Sequence, residues 1–137
     1  MNTPVADAPV TSMPVTFAAP MPGLENVHDF TLRSVEGAAG LYALEAGSPS
    51  PVRLFLADAA VFVPGYAPPI PDATSQALEL DQDEGQELQV LVVLNHSAKV
   101  TTVNLMAPIV LNPATRRCVQ LVLDGREYPL RADLNSL

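Results

Sequence analysis

The chain has no tryptophan, one cysteine and two histidines, and sets seven Lys and Arg residues against fifteen Asp and Glu. Each shortage closes a class of function. A single thiol, Cys118, forms no internal disulfide. His28 and His96 lie far apart and outside any H-x-x-x-H or C-x-x-C pattern, so a structural zinc site would have to be completed by carboxylates. With seven aromatics and no Trp there is no stacking platform for single-stranded nucleic acid. A formal net charge of −8 repels phosphates instead of neutralising them, which argues against direct nucleic-acid binding. The same charge serves solubility, or acts as a field that draws a basic partner. No apolar run is long enough to span a bilayer, and no basic start followed by an apolar stretch and a cleavage site opens the chain. A cytoplasmic protein is the simplest expectation.

Catalytic material is equally sparse. There is no G-x-S-x-G elbow and no phosphate-cradling glycine loop. His28 and Asp29 are adjacent, and neighbours on a strand point to opposite faces, so the pair is a poor general base. The run Asp81 to Glu87 contains Asp81, Asp83 and Glu84 but lacks the later bidentate Glu of a calcium loop, and reads as a solvated acidic loop. No metal and no cofactor is expected, and the chain does not read as an enzyme.

What is present is apolar and β-forming. At 137 residues the chain makes one domain. Residues 1–13, with Pro4 and Pro9 among small residues, read as a flexible segment, and residues 14–137 as the domain. Short strand-like segments recur between turn signals over Asp29 to Val35, Leu41 to Glu45, Val52 to Ala57, Leu88 to Asn95, Val100 to Met106, Ile109 to Leu111 and Cys118 to Leu123. Gly37 and Gly40 mark a turn, Gly47 to Pro51 a hairpin loop and Asp124-Gly125 a tight turn. Only Pro71 to Leu80 looks helical, with Asp72 or Thr74 as its cap. The expected fold is all-β, a small β-barrel-like or sandwich domain of short antiparallel strands with one short helix. Val90 to Leu94 is apolar throughout, the pattern of a strand buried on both faces.

Thr101 to Asn112, T-T-V-N-L-M-A-P-I-V-L-N, combines strand-formers with two asparagines and a proline that cannot donate a ladder bond. It predicts a β element broken near Pro108, with the Asn104 amide available to the backbone that the break exposes. Tyr66, in V-P-G-Y-A-P-P-I, is either a packing post whose hydroxyl bonds backbone or an exposed interface anchor. Cys118 sits in an apolar strand, the setting of an inert thiol, although Arg116 and Arg117 beside it favour a thiolate.

Taken in order, F-A-A-P-M-P-G-L-E-N-V-H-D-F (Phe17 to Phe30), L-F-L-A-D (Leu54 to Asp58), G-Y-A-P-P-I (Gly65 to Ile70), T-V-N-L-M-A-P-I-V-L-N and R-R-C-V-Q-L-V-L-D (Arg116 to Asp124), followed by Tyr128-Pro129-Leu130, resemble the flagellar assembly factor FliW family. The resemblance runs from about Val15 to Leu134. It implies a small β-barrel-like binding protein with two partners: flagellin, and the RNA-binding translational repressor CsrA, which such proteins antagonise. On this reading the partner-binding candidates are Leu24, Glu25, Asp81, Asp83, Glu84, Asn104, Met106 and Pro108. The alternative is a small-molecule-binding or catalytic β-barrel with an interior pocket. The chain departs from the family at its start, where a longer charged hairpin usually precedes the position of Phe17.

Overall fold

The computed structural model describes residues 12–19, 21, 24–47, 51–79, 88–96, 100–123 and 131–133. Four strands, β1 (Ser12–Phe17), β2 (Asp29–Ser34), β3 (Leu41–Ala46) and β4 (Val52–Asp58), form an antiparallel meander. Two helices follow, α1 (Ala59–Phe62) and α2 (Asp72–Ala77). Then β5 (Gln89–His96) pairs with β4 and with β6 (Thr101–Asn112), and β7 (Arg117–Gln120) pairs with β6. A parallel pairing of β7 with β1, at Thr16 with Arg117 and Phe17 with Cys118, closes these seven strands into a barrel. The two-residue β8 (Ala132–Asp133) adds to the first half of β6.

Strand alternation decides what fills the barrel. Met13, Val15 and Phe17 on β1 meet Leu32 and Phe30 on β2, and Leu44, Leu56, Leu91, Ile109, Leu111 and Cys118 complete one interior cluster. Phe17 and Phe30 pack edge to face with ring centroids 5.2 Å apart. Side chains from the strands thus fill this interior cluster, the outcome expected of a small barrel. The apolar run of β5 divides as expected: Leu91 and Val93 face the interior, while Val90, Val92 and Leu94 join a second cluster outside the wall. That outer cluster is covered by Ala59, Phe62 and Val63 from α1 and its end, and by Tyr66. A third cluster, Leu78, Val110 and Leu121, seats the end of α2 on the same outer side, farther along β6.

Several elements differ from the sequence expectation. Strand β1 is an addition to the strands expected from the sequence, and Pro14 lies within it. The Thr16 amide donates to the Arg116 carbonyl on the β7 side and the Phe17 amide to the His28 carbonyl on the β2 side. Even-numbered positions therefore direct their polar backbone away from β2, and the donor that Pro14 lacks is not missed in the β1–β2 ladder. The expected single helix is two. Asp58 caps α1, its carboxylate accepting from the Ala60 amide at 3.0 Å. The second helix is shorter than Pro71 to Leu80, and neither Asp72 nor Thr74 is its cap: Pro71 holds that position without a side-chain bond, and Thr74 is buried. The two strands expected within Thr101 to Asn112 are one strand with an internal bulge. The turn at Gly37 and Gly40 is present, both glycines having positive φ, and a Cβ at Gly40 would lie 3.0 Å from the Phe62 ring. The Asp124-Gly125 turn and the Asp81 to Glu87 loop lie outside the described residues.

Candidate functional site

The β6 bulge is the most specifically built feature of the wall. On β5 Leu91 pairs with Ile109 and Val93 with Asn104, so the four residues from Leu105 to Pro108 stand opposite Val92 alone. Such a break strips backbone groups of ladder partners, and six of them here have a replacement. The Asn104 side-chain oxygen accepts from the Met106 and Ala107 amides at 3.0 and 3.2 Å. The Tyr66 hydroxyl donates to the Leu105 carbonyl. The Leu123 amide donates to the Met106 carbonyl and the Leu121 amide to that of Pro108. Gln120 Nε2 donates to the Ala107 carbonyl at 3.2 Å. Pro108 has no amide to satisfy, which is why a proline fits this position. Asn104 thus bonds the backbone opened at the break, as its sequence context indicates, and Tyr66 is a packing post.

A second construction holds α2 against the barrel. Asn112, fully buried, donates through Nδ2 to the Leu78 carbonyl at 2.8 Å and accepts from the Ala114 amide at 3.0 Å. Thr115 Oγ1 donates to the same carbonyl and Arg117 Nε to that of Ala77. The last carbonyls of α2, which have no partner inside the helix, are satisfied from the β6–β7 turn, with a cation at the negative end of the helix. Two non-glycine residues with positive φ flank the junction, Glu79 at 58° and Arg116 at 62°. Sequence reasoning missed this clamp, and an asparagine ending an apolar strand was the available signal.

A third cluster lies on the outer face of the meander. Glu45 receives the Arg33 guanidinium in a two-point contact at 3.2 and 3.3 Å and Arg53 Nε at 2.8 Å. Arg33, first by its hydrogen bond, holds the Glu45 carboxyl below its ordinary range, and Glu45 raises Arg33 in turn. These are exposed pairs, so their worth for stability is small.

The expected partner-binding residues are dispersed. Leu24 is half-buried against the interior cluster, in the loop after β1, and Glu25 beside it is exposed. Asn104, Met106 and Pro108 belong to the bulge, where Pro108 is fully buried and Met106 half-buried. Asp81, Asp83 and Glu84 lie outside the described residues. Cys118 faces the interior, and burial pushes its thiol up to about 12, away from a reactive thiolate. Among the described residues, no group of three or more His, Cys, Asp and Glu side chains is placed to hold a metal ion. No helix among them is long and apolar enough to cross a membrane.

The chain and its fold have counterparts in known proteins. The family described as FliW protein matches residues 5–134. A flagellar assembly factor FliW of Syntrophus aciditrophicus is 38% identical over 71 residues, which are 52% of this chain and 45% of that relative. One from Syntrophotalea carbinolica is 31% identical over 121 residues, 88% of this chain and 85% of the relative. A crystal structure of the flagellar assembly factor FliW superposes with a TM-score of 0.77 at 26% identity, covering 88% of this chain and 84% of that one.

Proposed function

The chain belongs to the FliW family of flagellar assembly factors, and from that membership we propose that it acts by exchange between two protein partners, flagellin and the repressor CsrA. Flagellin accumulating in the cytoplasm occupies the protein; once flagellin is exported, the freed protein binds CsrA and relieves repression of flagellin translation. The scheme requires two linked binding equilibria and no chemistry. Family membership across residues 5–134 is the observation that carries it. The net charge of −8 supports the same reading, because it suits a basic RNA-binding partner and disfavours RNA itself.

Within this reading Leu24, Glu25, Asn104 and Met106, with Pro108 as the buried support behind them, are the proposed contacts for an apolar helix of flagellin. Asp81, Asp83 and Glu84 are the proposed contacts for the basic repressor. The deciding experiment is a gel shift with CsrA and a leader RNA. The purified chain should release RNA from CsrA without retaining RNA itself, and added flagellin should restore the CsrA–RNA complex. Failure to displace the RNA, or indifference of the displacement to flagellin, refutes the exchange scheme.

A further inference from the structure

The rim of the barrel carries a groove at the point where β4 gives way to α1. Asp58 is the last residue of β4 and the cap of α1, and in register it faces Leu91 of β5. Gln89, two residues earlier on β5, therefore stands diagonally across from Asp58, about 7–8 Å away. These two, with Tyr66, Leu88, Val90 and Pro113, are among the residues that line a groove of about 380 Å³, near the lower end of the range for ligand pockets.

The charge of this groove is negative and uncompensated. Oδ1 of Asp58 accepts from the Ala60 amide at 3.0 Å, and Oδ2 has no partner among the described residues. Asp58 forms no ion pair among them, in contrast to Glu45, which is held by two arginines. The side-chain amide of Gln89 likewise has no partner among the described residues, and no Lys or Arg lines the groove. In the sequence Leu88 follows on Asp81, Asp83, Glu84 and Glu87 with no base between them, so the covalent neighbourhood adds negative charge alone. The rest of the lining is aromatic or apolar. Tyr66 is fixed by the bond from its hydroxyl to the Leu105 carbonyl, Leu88 and Val90 are half-buried, and Pro113 is exposed.

We propose that this groove seats an arginine side chain from a basic segment of a partner protein. Charge complementarity selects a cation, and the guanidinium is the cation that matches the lining: planar, always charged, with a fork of N–H donors and a face that stacks on aromatic rings. In this seat it donates to Asp58 Oδ2 and to the side-chain oxygen of Gln89 and lies against the Tyr66 ring. Its methylene stem runs along Leu88, Val90 and Pro113. A lysine ammonium supplies the charge without the plane or the fork, and an acidic side chain meets an unpaired carboxylate. The net charge of −8 draws a basic segment from a distance, and the groove decides where it lands. Argued from the lining side chains, the seat serves any protein that supplies the segment and does not depend on the exchange proposed above.

The test is a titration of the isotope-labelled chain, followed by backbone amide NMR shifts, with the peptide Gly-Ser-Arg-Ser-Gly blocked at both ends, and with the same peptide carrying Lys or Glu for Arg. One half-exposed ion pair with stacking sets an affinity of about 1 mM, within reach of this measurement. Saturable shifts centred on Ala59, Ala60, Gln89 and Val90 are expected with the arginine peptide, about threefold weaker binding with the lysine peptide, and none with the glutamate peptide. Asp58→Asn keeps an oxygen to cap α1 and removes the charge, so it should fold as the native chain does and bind the arginine peptide about tenfold more weakly. Should its thermal melt show that it does not fold, Gln89→Ala carries the comparison, with an expected loss of about threefold. Shifts that do not saturate, shifts spread evenly over the acidic surface, equal binding of the lysine peptide, or native affinity in the folded variant overturns the proposal.

Discussion

The side-chain amide of Asn112, at the end of β6, donates to the main-chain carbonyl of Leu78, at the end of α2, across 2.8 Å and a separation of 34 residues. The bond is buried at both ends, and the same asparagine accepts from the Ala114 amide, so one side chain fixes a helix terminus and shapes a turn. Asn112→Ala leaves the Ala114 amide in need of a new partner and the Leu78 carbonyl with only the bond from Thr115 Oγ1. It should destabilise the fold by about 1–3 kcal/mol. Urea unfolding of the two proteins measures it, and an unchanged midpoint would show that water replaces the amide at no cost.

Asn104 serves two amides from one oxygen in the half-buried bulge. Asn104→Ala should therefore cost about 1–2 kcal/mol. Asn104→Asp retains the acceptor and should recover most of that loss. If both variants melt alike, the acceptor role is wrong.

Glu79 follows α2 with a positive φ and places a carboxylate at the negative end of the helix. Both features oppose folding, and glycine removes both. Glu79→Gly should stabilise the chain by about 1 kcal/mol, seen as a rise in Tm of about 4 °C. A fall in Tm would mean that the carboxylate makes a compensating contact.

The buried thiol sets an alkaline limit. Burial raises Cys118 from an ordinary value of 9.0 to about 12 in the folded chain. Its contribution is whole below pH 9, where the thiol is neutral folded or unfolded, and is lost as pH rises towards 12 and the unfolded chain ionises first. Cys118→Ala should flatten the fall of stability across that interval. In the native protein at pH 8 a thiol reagent should react slowly, and urea should expose the group to rapid labelling; equal rates would place Cys118 at the surface.

How far the sequence speaks depends on the range of the interaction concerned. Strands β2 to β5 are legible because alternation, or the solid run of Val90 to Leu94, is a local property. So is the bulge, since Asn104 and Pro108 lie four residues apart in one segment. The first strand is hidden by Pro14, whose fitness depends on which edge of β1 faces β2. The one-turn α1 is hidden because A-A-V-F continues the apolar character of β4. The clamp on α2 depends on Leu78 and Asn112 meeting in space, and the Arg33–Glu45–Arg53 cluster on a three-strand register; neither is written in any single segment. Of the described partner-binding candidates, Leu24 and Glu25 lie in the loop after β1 and Asn104, Met106 and Pro108 in the β6 bulge, with Pro108 buried.

The parallel seam between Thr16 and Arg117 has a consequence in time. On the ribosome β1 emerges long before β7, and antiparallel neighbours β2 to β4 pair beside it while its far edge waits for about 100 residues of further synthesis. A waiting edge invites neighbouring chains to pair with it. Pro14 withholds a donor on that very edge. The proline that costs the finished β1–β2 ladder nothing thus leaves the unfinished edge with one donor fewer to offer a neighbouring chain.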